Sequence, residues 1–202
     1  MPRNRLVRRR RSNTLSSMHR YGMMPIPYPT QHERPWTMND GEEVLIRPIR
    51  PSDEPLMISF HKSLSDESVY LRYFHFVSLI QRIAHERLEK ICDVDYEHEM
   101  ALVAERKEFQ IVAVGRLAKL AVGNGAEIAI IVTDDFQGRG LGTELVRRLV
   151  EIARLEKYAH VAADIMTENT AMQRVFQSLG FELEHAPHGD VTATLTLASM
   201  TP

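Results

Sequence analysis

Residues 132–143 read VTDDFQGRGLGT, and this stretch decides how the chain folds. Val132 ends an apolar run that begins at Ala126, which is typical of a buried β-strand. From Gly140 to about Lys157, apolar residues recur at spacings of three and four, which predicts an amphipathic helix. Its outer, solvated face would include Glu144 and Arg148, which have the spacing of an ion pair. Glycines between the strand and the helix let the backbone turn tightly and let a ligand approach it closely. The stretch therefore predicts a strand, a glycine-rich turn and a helix in succession.

The start of this helix is a candidate anion site. The first N–H groups of a helix have no acceptor within it, and the helix dipole favours negative charge there. We expect the turn to bind a phosphate or diphosphate, with Arg139 adding an ionic contact. A nucleotide P-loop would need a Lys near the turn, and a dinucleotide loop would need Gly where Thr143 stands. A glycine-rich helix start without a ligand is the alternative.

The segments on either side of the turn predict a mixed α/β fold. Strands are expected at 44–49, 100–104, 110–120, 126–132, 160–166, 181–184 and 191–198, and helices from Ser52, from Ser65 and at about 80–91, 140–157 and 169–179. The helices near the start precede a run of strands that reads as a meander. We therefore expect a mixed, mostly antiparallel sheet flanked by helices rather than an alternating parallel one.

Composition limits the class of protein. The chain has 202 residues and 44% hydrophobic content, which suits one domain with a core. It lacks an apolar run near the roughly 20 residues of a membrane-spanning helix, so no membrane insertion is expected. One cysteine, Cys92, excludes an intrachain disulfide and a Cys-based zinc site. A reducing, cytoplasmic location fits these features best, and no metal is expected.

Charge is distributed unevenly along the chain. Seven Arg residues and no acidic residue precede Glu33, whereas the remainder has 18 basic and 27 acidic residues. With the prolines at 25, 27, 29 and 35, this predicts a disordered basic tail over residues 1–40 and one domain over 41–202. The tail is a solvated segment, a tether to nucleic acid or lipid, or a transit peptide; translation from Met38 would remove it. The acidic body argues against nucleic acid as its partner.

The turn and the order of elements resemble a known superfamily. Gln137-x-x-Gly140-x-Gly142 between a strand and an amphipathic helix, followed by Asn169 and Leu179-Gly180-Phe181, resembles the GNAT superfamily of acyl-CoA-dependent N-acyltransferases over about residues 42–200. Residues 45–53, 70–74 and 95–103 further resemble the acetyltransferase domain of bacterial protein-lysine acetyltransferases that modify acyl-CoA synthetases. Those enzymes often carry a fused synthetase-like or cyclic-nucleotide-binding domain, and neither is expected within these 202 residues.

The resemblance implies acetyl-CoA as cosubstrate and assigns residues to it. The backbone around Ile130, Ile131 and Val132 would pair with the pantetheine arm and stabilise the oxyanion. The diphosphate would lie on the loop formed by Gln137, Gly138, Arg139, Gly140, Leu141, Gly142 and Thr143. Asn169 would bond the pantetheine amides or cap a helix. Phe176 stands where the family often has the Tyr that protonates the thiolate, and is expected to be a core residue or a contact of CoA.

Glu127 is the candidate general base. A lysine amine with a pKa of about 10.4 is mostly protonated at neutral pH, so attack on a thioester is helped by a base. Glu127 is the one charged residue between Gly125 and Thr133, and in the family a Glu at the matching position takes the proton directly or through water. Burial among apolar neighbours is expected to raise its pKa. The alternative is a carboxylate that faces water or an Arg.

These assignments predict an acetyl-CoA-dependent N-acetyltransferase that acetylates a protein lysine by direct transfer in a ternary complex. The expected acceptor is an acyl-CoA synthetase or another lysine-bearing protein, and Tyr70, Arg72 and Tyr73 are candidates for lining its groove. Two alternatives remain: acetylation of a small-molecule amine, and a non-catalytic acyl-CoA-sensing module. Thiol release that depends on an acceptor distinguishes the enzymes from the sensor.

Overall fold

A computed structural model describes residues 27–185 and 190–197. Within these residues the strands are β1 (Arg34–Thr37), β2 (Glu43–Pro48), β3 (Glu99–Arg106), β4 (Gln110–Lys119), β5 (Gly125–Val132), β6 (His160–Met166), β7 (Glu182–His185) and β8 (Asp190–Thr196). They form one sheet in the order β1-β2-β3-β4-β5-β6-β8-β7. Each neighbouring pair is antiparallel except β5 and β6, which are parallel. The predicted mixed, mostly antiparallel sheet is confirmed.

Helices cover both faces of this sheet. They are α1 (Glu54–Ser63), α2 (Asp66–Tyr73), α3 (Leu79–Arg82), α4 (His85–Cys92), α5 (Leu141–Leu155) and α6 (Thr170–Ser178). α1, α2 and α4 enclose one apolar core, and α5 and α6 enclose the other. The helix predicted at about 80–91 is interrupted because Ala84 is extended, with ψ 130°. Within the described ranges, none of the helices combines the length and hydrophobicity needed to cross a membrane.

The structure differs from the predicted tail over residues 27–40. β1 pairs with β2 in this range, and Trp36 lies opposite Val44. Trp36 packs against the core beneath α5, and Met38 is 2% exposed. Burial of these apolar side chains supplies the free energy that orders a segment whose prolines and charge predict disorder. Residues 1–26 lie outside the described residues.

Helix α5 has a buried ion pair where its sequence predicts a solvated face. Arg148 Nε donates to Glu144 Oε1 at 2.6 Å, the pairing that their spacing predicts, but both side chains are buried. Arg148 also donates to the carbonyl oxygen of Arg34 at 3.1 Å. Burial opposes ionisation of Glu144, yet hydrogen bonds from Arg147 and Arg148 lower its pKa. β1 therefore covers a face of α5 that the helical period assigns to solvent.

Candidate active site

Strands β5 and β6 form a fork at the centre of the sheet. They pair only through Gly125–Glu127 and residues 160–162, although β5 continues to Val132 and β6 to Met166. β6 stays paired with β8 along its whole length, so the opening lies between β5 and β6. An open position of this kind gives a ligand access to the backbone of a central strand.

The exposed edge of β5 carries two of the three peptide units that the sequence assigns to the pantetheine arm, those of Ile130 and Val132, whereas the peptide groups of Ile131 face β4. Thr133 N donates to Val112 O at 2.9 Å, so the odd-numbered residues of β5 bond β4. By alternation, the peptide groups of Ile130 and Val132 point into the fork. Their N–H groups are donors for an extended ligand or for a developing oxyanion.

The glycine-rich loop joins this edge to α5. Gly138 and Gly140 have φ values of +71° and +85°, a left-handed region that side chains disfavour. Gly140 is the N-cap of α5, and the first intrahelical bond runs from Glu144 N to Gly140 O at 3.1 Å. The N–H groups of the first turn therefore precede that bond and can bind an anion.

A cavity of about 420 Å³ lies over the loop and the fork, and we call it the loop cavity. Nine of the predicted residues line it: Ile130, Ile131, Val132, Gln137, Gly138, Gly140, Gly142, Thr143 and Asn169. Gln137 is held in place because its Nε2 donates to Val132 O at 3.1 Å and to Ser68 Oγ at 3.0 Å. Nine of the twelve residues that the sequence assigns to one cosubstrate therefore share one cavity.

Three predicted cofactor residues have other surroundings. Arg139 does not line the loop cavity: its guanidinium forms an ion pair with Asp40 at 2.9 Å and packs over the Phe136 ring. The carboxylate partner comes from the segment that was expected to be disordered. The Leu141 side chain is a core residue, which leaves its backbone N–H at the helix start. Phe176 is also buried, with its ring 4.8 Å from that of Phe181.

Asn169 has both of the roles that the sequence leaves open. Its Oδ1 accepts from Met172 N at 3.1 Å, which makes it the N-cap of α6. It also lines the loop cavity and a second cavity of about 330 Å³, which we call the fork cavity. The cap fixes the side chain beside the fork, so that its remaining amide donors can face a ligand.

Glu127 lies between two cavities at the closed end of the fork, where β5 still pairs with β6. It lines the fork cavity and a third cavity of about 630 Å³, which we call the rim cavity. The side chain is exposed, so the predicted burial among apolar neighbours is wrong. The reason is that β5 and β6 separate directly after this residue, which opens both sides of it to solvent.

Arg72 is the residue that connects the three cavities. It projects from α2 and lines the loop, fork and rim cavities. Burial lowers the pKa of its guanidinium, and the charges of Tyr73 and Glu127 oppose that effect. The sequence identifies Arg72 only as a candidate for the acceptor groove, and its place beside the loop cavity depends on how α2 docks.

Several lining residues were missed by sequence reasoning. Asn39, Ser68, Met172 and Arg174 line the loop cavity. Arg174 is an exposed cation on α6, five residues after Asn169, and that proximity was a signal for a phosphate contact. Asn39 gave no such signal, because it lies in the predicted tail, before the first predicted strand.

The forked mixed sheet and the glycine-rich loop at the start of α5 agree with the fold of an N-acyltransferase, and so do the comparisons with known proteins. The family model described as "Acetyltransferase (GNAT) domain" matches residues 43–182. The chain therefore belongs to the GNAT acetyltransferase family and is an N-acetyltransferase. Acetyl-CoA is the cosubstrate of this fold.

Three relatives illustrate the similarity. Acetyltransferase PA5475 of Pseudomonas aeruginosa is 32% identical over 154 residues, which are 75% of this chain and 81% of that protein. Acetyltransferase Pat of Mycolicibacterium smegmatis is 28% identical over 72% of this chain, but the match spans only 43% of Pat. The crystal structure of the GNAT domain of S. lividans PAT superposes with a TM-score of 0.77, at 26% identity, over 84% of this chain and 99% of that domain.

Proposed function

We propose that this protein acetylates lysine side chains of a protein acceptor by direct transfer from acetyl-CoA in a ternary complex. The observation that carries the proposal is the position of Glu127 at the junction of the fork and rim cavities. The loop cavity would hold acetyl-CoA, and the fork and rim cavities would admit the acceptor. The similarity to proteins named Pat and PAT supports a protein acceptor.

The charge of the fork cavity suits a cationic acceptor. Glu127, Asp164 and Asp190 line it, together with Arg72. Three carboxylates favour entry of an ammonium group, which then has to lose a proton before it can attack. Exposure of Glu127 to both acceptor cavities allows it to take that proton directly or through one water. The acidic lining does not by itself distinguish a lysine side chain from a small amine.

In the proposed reaction the acceptor nitrogen attacks the thioester carbonyl carbon. Glu127 has by then taken one proton from the ammonium group, so the neutral nitrogen forms the new C–N bond. The C–S bond then breaks to release the CoA thiolate, and the second nitrogen proton passes to water. In this proposal the N–H groups of Ile130 or Val132, which point into the fork, stabilise the oxyanion between these steps. With Phe176 in place of a Tyr, the thiolate leaves without that acid, which a thiol with a pKa of about 8.5 permits.

The burial and the raised pKa of Cys92 favour direct transfer over a covalent enzyme intermediate. This cysteine is the one thiol of the chain; it is the last residue of α4 and is buried at 1% exposure in the apolar core that α1, α2 and α4 enclose. Burial raises the pKa of Cys92 to about 11, so almost no thiolate is present at neutral pH. We accordingly place the acceptor and acetyl-CoA on the enzyme together. We also propose that the enzyme is cytoplasmic.

Acetyl transfer to a defined acceptor tests this function. The full chain is incubated with acetyl-CoA and purified acyl-CoA synthetases, and in parallel with a polyamine, while thiol release and lysine mass are measured. Acetylated lysines, with thiol release that depends on the protein acceptor, are expected. Thiol release with the polyamine alone would instead support the small-amine alternative. Binding of CoA without release for any acceptor would support the sensor.

A further inference from the structure

The turn between β1 and β2 lies against the glycine-rich loop. This hairpin turn comprises residues 38–42 and precedes the match to the family model, which begins at residue 43. Met38 N donates to Glu42 O at 2.8 Å, and Gly41 has a φ of +90°. Met38 is buried in the core. The turn is therefore anchored on one side by the sheet and on the other by an apolar side chain.

Two kinds of contact join the hairpin turn to the loop. Asn39 N donates to Arg139 O at 3.1 Å. The Arg139 guanidinium pairs with Asp40 Oδ2 at 2.9 Å and with Glu42 Oε2 at 3.2 Å. The charge of Arg139 is thus directed to the hairpin turn, which leaves the diphosphate position to backbone N–H groups and to neutral donors.

The Asn39 side chain lies beside that position. A Cβ on Gly140 would lie 3.0 Å from both Oδ1 and Nδ2 of Asn39, so the amide sits directly above the N-cap of α5. Asn39 also lines the loop cavity together with Gly138 and Gly142. Among the described residues, no hydrogen bond uses the Asn39 side-chain amide. Its two N–H groups are therefore available to a ligand.

We propose that Asn39 donates a hydrogen bond to the diphosphate of acetyl-CoA, so that the hairpin turn is part of the cosubstrate site. The proposal rests on the proposed function, which places the diphosphate on the loop. An amide suits this position because it donates to a phosphate oxygen without adding charge beside Asp40 and Glu42. A carboxylate of the same shape would repel the phosphate.

Calorimetric titration of the full chain with CoA and with 3′-dephospho-CoA tests the contact. Asn39→Ala should weaken binding of both ligands about tenfold, because both carry the diphosphate and a hydrogen bond to a charged group contributes about 1.5 kcal/mol. Asn39→Asp should weaken both further. Asn124→Asp is the matched control: Asn124 is exposed in the turn before β5, and its variant should bind both ligands as the wild type does.

Equal affinity of Asn39→Ala and wild type for CoA would overturn the proposal, and so would a loss seen with CoA but not with 3′-dephospho-CoA. Melting temperatures of all variants establish that they are folded. The titration needs neither acceptor nor turnover, so the Asn39 contact can hold even if no lysine is acetylated. A wild-type chain that fails to bind CoA would overturn the proposed function together with this contact.

Discussion

Asp134 in the glycine-rich loop and Ser65 at the start of α2 are joined by two hydrogen bonds, although they are 69 residues apart in the chain. Ser65 N and Oγ donate to the two carboxylate oxygens at 2.9 and 2.6 Å. Ser68 Oγ adds a third bond at 2.9 Å. Ser65 is also the N-cap of α2. The loop is therefore fastened to the helix that carries Arg72 into the three cavities.

Asp134→Asn should destabilise the protein by about 1 kcal/mol and weaken CoA binding a fewfold, because an amide accepts these hydrogen bonds less strongly than a carboxylate. Partial burial opposes ionisation, but the bonds from Ser65 and Ser68 lower the pKa of Asp134. The stabilisation is thus present above the ordinary value of about 3.9 and lost as the pH falls below it. Urea unfolding and calorimetry measure both effects, and Asp135→Asn, at an exposed neighbour, is the control.

Glu127→Gln should lower kcat by about 10²- to 10⁴-fold at neutral pH while CoA affinity is kept, since the variant lacks a base but keeps its shape. The deficit should shrink as the pH rises toward the pKa of the amine, because more acceptor is then already neutral. The measurement is a kcat–pH profile of the wild type, of Glu127→Gln and of a control, Glu182→Gln, which changes an exposed residue of β7. A kcat unaffected by the Glu127 change would remove this residue from the mechanism.

Gly140→Ala should abolish most CoA binding, whereas Gly123→Ala should not. Both glycines have left-handed φ values, +85° and +82°, so each substitution costs roughly 1–2 kcal/mol of stability. A Cβ at Gly123 meets nothing within 4 Å, but one at Gly140 would lie 3.0 Å from the Asn39 amide over the helix start, so that this side chain has to shift. Thermal unfolding should rank the two variants alike, and calorimetry should separate them by at least about tenfold in Kd. Similar affinities would contradict the placement of the diphosphate.

Arg174→Gln should weaken CoA binding about fivefold, the equivalent of ~1 kcal/mol for a solvent-exposed ionic contact. Arg174 is a cation of α6 that lines the loop cavity, and its attraction to a phosphate is screened by salt. The difference between wild type and variant should accordingly narrow as salt is raised. Arg154→Gln, which removes an exposed charge near the end of α5, serves as the reference.

His61 predicts a pH-dependent stability that is unrelated to catalysis. Burial, and then the charges of Arg87 and Arg82, lower the pKa of His61 to about 4. The unfolded chain binds this proton near pH 6.5, so the folded state loses stability as the pH falls from about 6.5 to about 4. Between about pH 7.5 and pH 5 the loss is ~2 kcal/mol.

The His61→Gln variant should lose about 2 kcal/mol less than the wild type over the same pH interval. Urea unfolding at the two pH values measures this difference. His75→Gln, which replaces an exposed imidazole, should behave as the wild type. An identical pH dependence in the His61 variant would show that burial of this imidazole has no such effect.

The site combines residues that the sequence identifies with residues that it cannot. The strand, loop and helix around residues 126–157 follow from alternation, glycine and helical period, and the cavity lining by Ile130, Gln137 and Gly142 agrees with the residues expected there. The exposure of Glu127 was not predicted, because it depends on where β6 leaves β5. The same holds for Arg72, whose environment is set by the docking of α2.

The sequence by itself determined the order of helices and strands and the glycine-rich turn before α5, because both depend on dihedral preferences and periodicities within a few residues of each other. Only the tertiary structure decided that residues 34–42 form a strand and a turn against the loop, and that Arg148 and Glu144 are buried. Asn39 and Gly140 meet because sheet order brings together segments about 100 residues apart. Contacts of that kind leave no local pattern in either segment.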